Sequence, residues 1–162
     1  MYTSIIIGNT SLSIECARIL LANQFKIEII FTDNPELSQW CYQHHIITYP
    51  INDIDTKFQA SDYLFSIVNP RIISPQILVK VRHLAINYHD SLLPDYAGVN
   101  ATSWALYNQE AKHGITWHLM TNEIDAGDIV AQRAISLVED ETALSLNLKC
   151  YHTAIETFTD II

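Results

Sequence analysis

Two short segments of the chain hold an amide, an imidazole and a carboxylate, the groups that acyl transfer requires. Asn87 and His89 stand two residues apart at the end of the apolar run 84–86, and Asp125 lies in the later segment 124–128. Because side chains alternate along an extended backbone, Asn87 and His89 share one face and can act on one substrate atom. An imidazole oriented by a carboxylate, beside an uncharged hydrogen-bond donor, suits a reaction in which negative charge develops on oxygen. The pattern predicts acyl transfer, with Asp125 as the orienting carboxylate.

The elements that must position these residues alternate between strands and helices. Runs of apolar and β-branched residues predict strands at 4–7, 27–31, 46–49, 63–68, 84–88, 114–120 and 129–137. Helical spacing predicts helices after the turn at 8–11 and at 35–44, 74–81, 100–108 and 142–162, with Asn100 as a cap. Such alternation implies parallel strands with helical crossovers. The fold class is therefore α/β, a Rossmann-like, open, mostly parallel sheet with helices on both faces.

Length and hydropathy indicate one globular domain. The chain has 162 residues, 49% of them hydrophobic, which supports one core and leaves little room for a second. We expect a single domain at 1–162, either a complete small protein or the front of a longer one. No apolar run is long enough to cross a bilayer, and the run at 4–7 follows no basic flank. We therefore expect a first buried strand, no membrane partner and a cytoplasmic location.

Charge and cysteine usage argue against other kinds of site. Nine basic and eighteen acidic residues give a formal charge of −9, without a cluster of Lys or Arg. A field of that sign repels a polyanion, so we expect no nucleic-acid partner. Cys16, Cys41 and Cys150 lack metal-ligand spacing and are odd in number. They are predicted to be reduced structural thiols, and no metal is expected.

Four linked motifs resemble the folate-dependent formyltransferases. They are Asn87-Tyr88-His89-Asp90-Ser91-Leu92-Leu93-Pro94, Tyr96-Ala97-Gly98, His113-Gly114-Ile115-Thr116-Trp117-His118 and Asp125-Ala126-Gly127-Asp128-Ile129-Val130-Ala131-Gln132. Linked motifs at matching spacing are more specific than any one of them. The resemblance covers 69–132, and the order of elements before it also fits the family. It implies the formyltransferase fold, 10-formyltetrahydrofolate as the formyl donor and a primary amine as the acceptor.

The resemblance also implies roles for the polar residues. Asn87 and a protonated His89 would stabilise the oxyanion, while Asp125 would favour the imidazolium and help to remove the amine proton, directly or through water. Ser91 would support the catalytic histidine or carboxylate. His118 either supports the site in the same way or is a satisfied core histidine.

A folate pocket is implied at two loops. One follows a strand and contains Asn69, Arg71, Ile72 and Ile73; the other precedes Asp125 and contains Asn122, Glu123 and Ile124. An apolar slot with a few backbone partners suits the flat pterin ring. Arg71 would either pair with the glutamate tail of the cofactor or remain a solvated surface arginine.

The turn formed by Gly8, Asn9, Thr10 and Ser11 is a possible acceptor-binding site, because a glycine turn at a helix start can hold phosphate through backbone amides. It lacks the three glycines of a dinucleotide fingerprint. The purine-pathway branch of the resembled family has a more glycine-rich loop here, so Thr10 departs from that pattern. A capped βα turn is the alternative interpretation.

The acceptor is suggested by a second, softer resemblance. The segments 96–106 and 113–120 look most like formylation domains of non-ribosomal peptide synthetases. The expected acceptor is then the amino group of an aminoacyl thioester on a carrier domain, formylated to start a peptide in antibiotic biosynthesis. A nucleotide-linked aminosugar is the alternative, followed by purine synthesis and initiator tRNA. A non-catalytic module that binds folate or a partner is a hypothesis of another class.

Overall fold

The computed structural model describes residues 1–162, which form seven strands and six helices. The strands are β1 (Thr3–Gly8), β2 (Lys26–Phe31), β3 (Ile47–Tyr49), β4 (Ser61–Ile67), β5 (Val81–His89), β6 (Lys112–Leu119) and β7 (Ile129–Ser136). The helices are α1 (Ser11–Ala22), α2 (Pro35–Gln43), α3 (Ile54–Lys57), α4 (Pro75–Leu78), α5 (Ala101–Tyr107) and α6 (Ala143–Phe158). Two short 3-10 turns lie at Ile51–Asp53 and Thr159–Ile161.

The strands form one mixed, mostly parallel sheet in the order β3-β2-β1-β4-β5-β6-β7. The pairs β1/β2, β1/β4, β2/β3 and β4/β5 are parallel, whereas β6 and β7 form an antiparallel hairpin. Parallel strands need crossover connections, and the helices between the early strands supply them. The predicted Rossmann-like α/β fold is confirmed.

The chain divides into two compact units, 1–87 and 88–162. In the first unit, Ile5, Ile6 and Ile7 of β1 are fully buried, as is Leu20 of α1. A central strand covered on both sides has no solvent face, which explains why β1 is a continuous apolar run. In the second unit, the fully buried Trp117 donates a hydrogen bond of 3.0 Å from its indole to the Thr157 hydroxyl.

Two local expectations are corrected, and two short elements were not predicted. The predicted helix at 74–81 covers only Pro75–Leu78, because β5 already begins at Val81. Asn100 occupies the N-cap position of α5 but has a φ of 61° and makes no side-chain cap bond. The 3-10 turn at 51–53 and α3 were not predicted, since they are too short to show a helical period.

The three cysteines are free and buried, as predicted. Burial raises the pKa of the Cys41 thiol to about 11 and that of Cys150 to about 12, and it raises the pKa of Cys16 well above its ordinary value. A thiol must ionise to act as a nucleophile, so these residues are packing groups. None of the helices is both long enough and apolar enough to span a membrane.

Asp62 links the start of β1 to β5 inside the first unit. Its carboxylate accepts hydrogen bonds from the Thr3 amide at 2.8 Å and from the Arg82 guanidinium at 2.7 Å. The Arg82 bond, followed by the Thr3 amide, lowers the pKa of Asp62 to about 2.

We expect Asp62→Asn to destabilise the protein in a pH-dependent way. A carboxyl whose folded pKa lies below its unfolded value of about 4 stabilises the fold above that value. This contribution is lost as the pH falls towards the folded pKa, which is about 2. The difference in urea midpoint between wild type and variant should therefore be large at pH 7 and shrink below pH ~4. The exposed Asp140→Asn is the control, and a pH-independent difference for Asp62→Asn would contradict the prediction.

Candidate active site

Asp125 lies between two imidazoles in the second unit. Its Oδ2 is 3.6 Å from Nδ1 of His89, and its Oδ1 is 3.5 Å from Nε2 of His118. The side chains of His89, His118 and Asp125 are 6%, 4% and 9% exposed. Charges at this depth are weakly screened by solvent, so the carboxylate and the two rings influence each other strongly. The structure thus brings together the predicted pair, His89 and Asp125, and it adds His118 as a direct neighbour of the carboxylate.

Each imidazole has its other ring nitrogen at a main-chain carbonyl. Nε2 of His89 is 2.9 Å from the Tyr96 oxygen, and Nδ1 of His118 is 3.0 Å from the Leu119 oxygen. A carbonyl only accepts hydrogen bonds, so these two nitrogens carry protons. The nitrogens that face Asp125 carry protons only when the rings are imidazolium ions.

The backbone at Asp125 is in the left-handed region, with a φ of 52°. The Gly98 amide donates a hydrogen bond of 2.8 Å to Oδ2 of Asp125. Burial raises the pKa of Asp125, but the hydrogen bonds from His118 and Gly98 and the charges of the two imidazoles outweigh it, so the net pKa is lowered. Asp125 therefore remains ionised at neutral pH.

The tight loop around Asp125 depends on Gly127. A Cβ at this position would lie 1.8 Å from the Leu119 carbonyl oxygen. The same stretch closes through a 2.9 Å bond from the Leu119 amide to the Asp128 oxygen. Only glycine permits this close approach, which explains the Asp-Ala-Gly-Asp motif.

Asn87 is the last residue of the first unit and stands two positions before His89 on β5. It pairs in register with Ser66 of β4. Because both residues belong to β5, the alternation expected of a strand keeps Asn87 and His89 on one face. Tyr88, between them, faces the opposite side and is buried, with its ring 5.3 Å from that of Trp117.

Ser91 does not make the contact that we predicted. Its buried hydroxyl donates to the Asp95 oxygen at 2.6 Å instead of bonding His89 or Asp125. Ser91 therefore closes the loop that follows β5, and any effect it has on the imidazole passes through that loop.

A second hydroxyl, on Thr116, anchors the same loop. The Thr116 side chain donates to the Ser91 oxygen at 2.7 Å and accepts from the Leu93 amide at 3.1 Å. Gln132, opposite Thr116 in the hairpin, donates to that hydroxyl at 2.9 Å and to the Leu93 oxygen at 3.0 Å. A threonine in a strand is ordinary, so sequence reasoning had no signal for this anchor.

The residues predicted to hold folate lie in two loops, one in each unit. Asn69 closes the first loop on itself, since its side chain accepts from the Arg71 amide at 3.0 Å and donates to the Arg71 oxygen at 2.8 Å. Arg71 is paired with Asp55 and donates to the Asn52 side chain at 3.1 Å. Ile73 is buried, whereas Ile72 is 71% exposed. In the second loop, Asn122, Glu123 and Ile124 are exposed.

The turn at Gly8, Asn9, Thr10 and Ser11 precedes α1. The Asn9 side chain is committed to the neighbouring turn, where it accepts from the Thr32 hydroxyl at 3.0 Å and the Asp33 amide at 2.7 Å. Thr10 is the N-cap residue but makes no side-chain cap bond, so the alternative of a capped turn lacks its expected contact.

No residues of the chain form a group of three or more ligands placed to hold a metal ion.

Residues 53–162, more than half of the chain, match the family described as formyl transferase. The chain belongs to the formyl transferase family. The predicted enzyme class, a folate-dependent formyltransferase, is confirmed. Members of this family use a formyl-tetrahydrofolate as donor.

Solved structures of other formyltransferases share the fold. The phosphoribosylglycinamide formyltransferase of Anaplasma phagocytophilum is 21% identical with a TM-score of 0.86, and the alignment covers 99% of this chain and 84% of the other. The corresponding enzyme of Bacillus halodurans is 20% identical with a TM-score of 0.82, covering 98% and 94%. The sugar 3-N-formyltransferase WlaRD, crystallised in the presence of dTDP and 5-N-formyl-THF, is 22% identical with a TM-score of 0.82, covering 99% of this chain and 61% of the other.

In this formyltransferase, Thr116→Val should lower the free energy of unfolding by about 2–4 kcal/mol, because it leaves the Leu93 amide and the Ser91 oxygen without their buried partner. The two side chains have nearly the same shape, so packing changes little. Urea denaturation measures the loss, with Thr48→Val on β3 as a matched control. Equal stabilities of the two variants would show that the anchor contributes nothing.

Proposed function

We propose that this formyltransferase moves the formyl group of 10-formyltetrahydrofolate to a primary amine, with Asn87, His89 and Asp125 as its catalytic residues. The observation that carries the proposal is the ionised Asp125 held 3.6 Å from the buried His89 imidazole. A carboxylate in this position orients an imidazolium and stabilises its charge.

His89 has one ring nitrogen available for the reaction. Nε2 is committed to the Tyr96 carbonyl, whereas Nδ1 is 3.6 Å from Asp125, which is longer than a hydrogen bond. We infer that the Nδ1 proton is the one donated to the oxygen on which negative charge develops. The Asn87 amide, on the same face of β5, is the second donor.

Asp125 serves the attacking amine as well as the imidazole. Its lowered pKa makes it a weak base, so it would pass the amine proton on, through water, to the donor nitrogen that the formyl group leaves, and would not retain it. His118, on the other oxygen of the carboxylate, holds Asp125 in place and favours its ionised form.

The residues present fit a bound folate. When bound, the cofactor supplies an electrophilic formyl carbon. Ile72 is 71% exposed, so the loop that carries it offers an apolar side chain to a flat ring. Ile124 is 62% exposed in its own loop. Asn69, Ile73, Asn122 and Glu123 complete the predicted set. Arg71 would have to exchange Asp55 for a glutamate tail, so we expect it to contribute little to affinity.

For the acceptor, we propose an aminoacyl thioester on a peptide-synthetase carrier domain. The similarity of the segments 96–106 and 113–120 to such formylation domains supports this choice. The formal charge of −9 also disfavours initiator tRNA. The turn at Gly8, Asn9, Thr10 and Ser11 would receive a phosphate of the carrier arm, since the Thr10 hydroxyl has no partner in the protein.

A nucleotide-linked aminosugar is the second candidate acceptor. It is favoured by the similarity to the sugar 3-N-formyltransferase WlaRD, at a TM-score of 0.82. Phosphoribosylglycinamide is the substrate in the names of the Anaplasma and Bacillus enzymes, so it is a third acceptor to test.

The deciding experiment is intact-mass analysis of each acceptor after incubation with the protein and 10-formyltetrahydrofolate. Aminoacyl carrier proteins, an aminosugar nucleotide and phosphoribosylglycinamide are tested in parallel, with His89→Ala as the blank. A one-formyl increase on the carrier supports the proposal, whereas modification of another acceptor replaces it. Tight folate binding without any transfer would favour the non-catalytic module.

A further inference from the structure

One short segment of main chain contacts both His89 and Asp125. The Tyr96 oxygen is 2.9 Å from Nε2 of His89, and the Gly98 amide is 2.8 Å from Oδ2 of Asp125. That same Oδ2 is 3.6 Å from Nδ1 of His89. The segment 96–98 therefore contacts both partners, and its position sets their separation and the orientation of the ring.

The segment needs an anchor because its backbone is strained. Tyr96 has a φ of 56° and Gly98 a φ of 98°, both in the left-handed region. Glycine adopts this region freely, but a tyrosine remains there only when its surroundings hold it. The left-handed turn at Tyr96 is part of what directs its carbonyl at the imidazole.

The anchor is the Tyr96 side chain. Its phenol donates a hydrogen bond of 2.6 Å to the Glu110 carboxylate and accepts one of 2.8 Å from the Asn108 amide. Both partners lie in the turn that ends α5. This turn is closed by main-chain bonds of 3.0 Å from Gln109 to Leu106 and from Glu110 to Ala105, so it is a firm support.

Packing alone does not hold the Tyr96 ring. A cavity of about 60 Å³ lies beside it, between Leu92 and His113. The ring of His113 is an edge-on neighbour at 6.4 Å. Asn108 lowers the pKa of the phenol and Glu110 raises it, and the net pKa is raised, so the phenol keeps the proton that it donates.

We propose that Tyr96, Asn108 and Glu110 are positioning residues for His89. The phenol bonds hold the Tyr96 carbonyl on Nε2, which leaves Nδ1 facing Asp125. The inference rests on the proposed catalytic roles of His89 and Asp125, but its first test requires neither a cofactor nor an acceptor.

The first test is nitrogen-15 NMR of the histidine rings in the full chain, with the His89 signals assigned through His89→Gln. Tyr96→Phe removes only the phenol bonds. We expect the Nε2 proton of His89 to exchange with water about tenfold faster in this variant. Tyr42→Phe, an exposed tyrosine on α2, is the matched control and should leave the exchange rate unchanged. Unchanged exchange in Tyr96→Phe would overturn the proposal, whether or not an acceptor has been found.

The second test separates positioning from stability. With the acceptor found by mass analysis, Tyr96→Phe and Asn108→Ala should lower kcat about tenfold while the KM for the formyl donor stays within about twofold. Glu110→Gln keeps an acceptor for the phenol and should restore most of kcat, whereas Glu110→Ala should not. Variants that lose thermal stability but keep the wild-type kcat would show a merely structural role.

Discussion

His89→Ala should abolish formyl transfer, with an expected loss in kcat of about 10³-fold or more. The imidazole is the proposed donor to the developing negative charge, and the buried surroundings strengthen such a hydrogen bond. Alanine offers no donor, and solvent reaches the position poorly because the His89 side chain is only 6% exposed. Single-turnover kinetics with a saturating formyl donor measures the effect.

Folate affinity decides how that result is interpreted. His89 is not among the residues proposed to bind folate, so His89→Ala should bind the formyl donor within about threefold of wild type. The control is His152→Ala, an exposed histidine on α6, which should transfer formyl normally. Transfer by His89→Ala at an undiminished rate would refute the proposed mechanism. His89→Asn distinguishes lost chemistry from lost folding if the alanine variant is unstable.

Asp125→Asn is expected to reduce kcat by about 10²-fold to 10³-fold. The amide keeps the shape of the carboxylate and can still accept from the Gly98 amide, but it no longer balances the charge of an imidazolium. Its own N–H groups also repel a protonated ring nitrogen. The same kinetic assay measures the loss, and Asp140→Asn is the control for removing one negative charge.

The pH dependence of stability gives an independent check on Asp125. The pKa of Asp125 is lowered in the folded protein. The carboxylate therefore adds to the free energy of unfolding above its unfolded pKa of about 4, and this contribution is lost as the pH falls. Asp125→Asn should therefore flatten the decline in urea midpoint below pH ~4. An unchanged decline would mean that the carboxylate is not held by the two imidazoles.

Much of the fold follows from local patterns. The run at 4–7, the glycine turn after it and the helical spacing of Ile14, Ala17 and Leu20 correspond to β1 and α1. Errors occurred where the pattern was short, as in the overextended helix at 74–81. There β5 pairs with β4 from Val81 onwards, and this tertiary contact overrides local helical preference.

Some features of the candidate site could also be predicted from the sequence, and others could not. The types and spacing of Asn87 and His89 were visible in the sequence because strand alternation is a local property, and Asp125 was visible within the motif 124–128. That this motif requires Gly127 became clear only from the structure. Ser91 was assigned the wrong partner because a hydroxyl in a loop can bond whichever carbonyl the loop presents. The role of Arg71 in folate binding is implied by the resemblance of its loop to the family, whereas Asp55 and Asn52, its partners in the structure, lie nearby only in the folded chain.

The sequence by itself determined the α/β class, the family motifs and the chemical groups of the site. Only the tertiary structure decided which nitrogen of His89 faces Asp125, because that depends on the Tyr96 carbonyl. It also decided that the Thr116 hydroxyl anchors the loop carrying this carbonyl. The physical reason is that hydrogen bonds between residues distant in sequence leave no periodic or compositional pattern in the sequence. They become defined only when packing fixes the distance between the two partners.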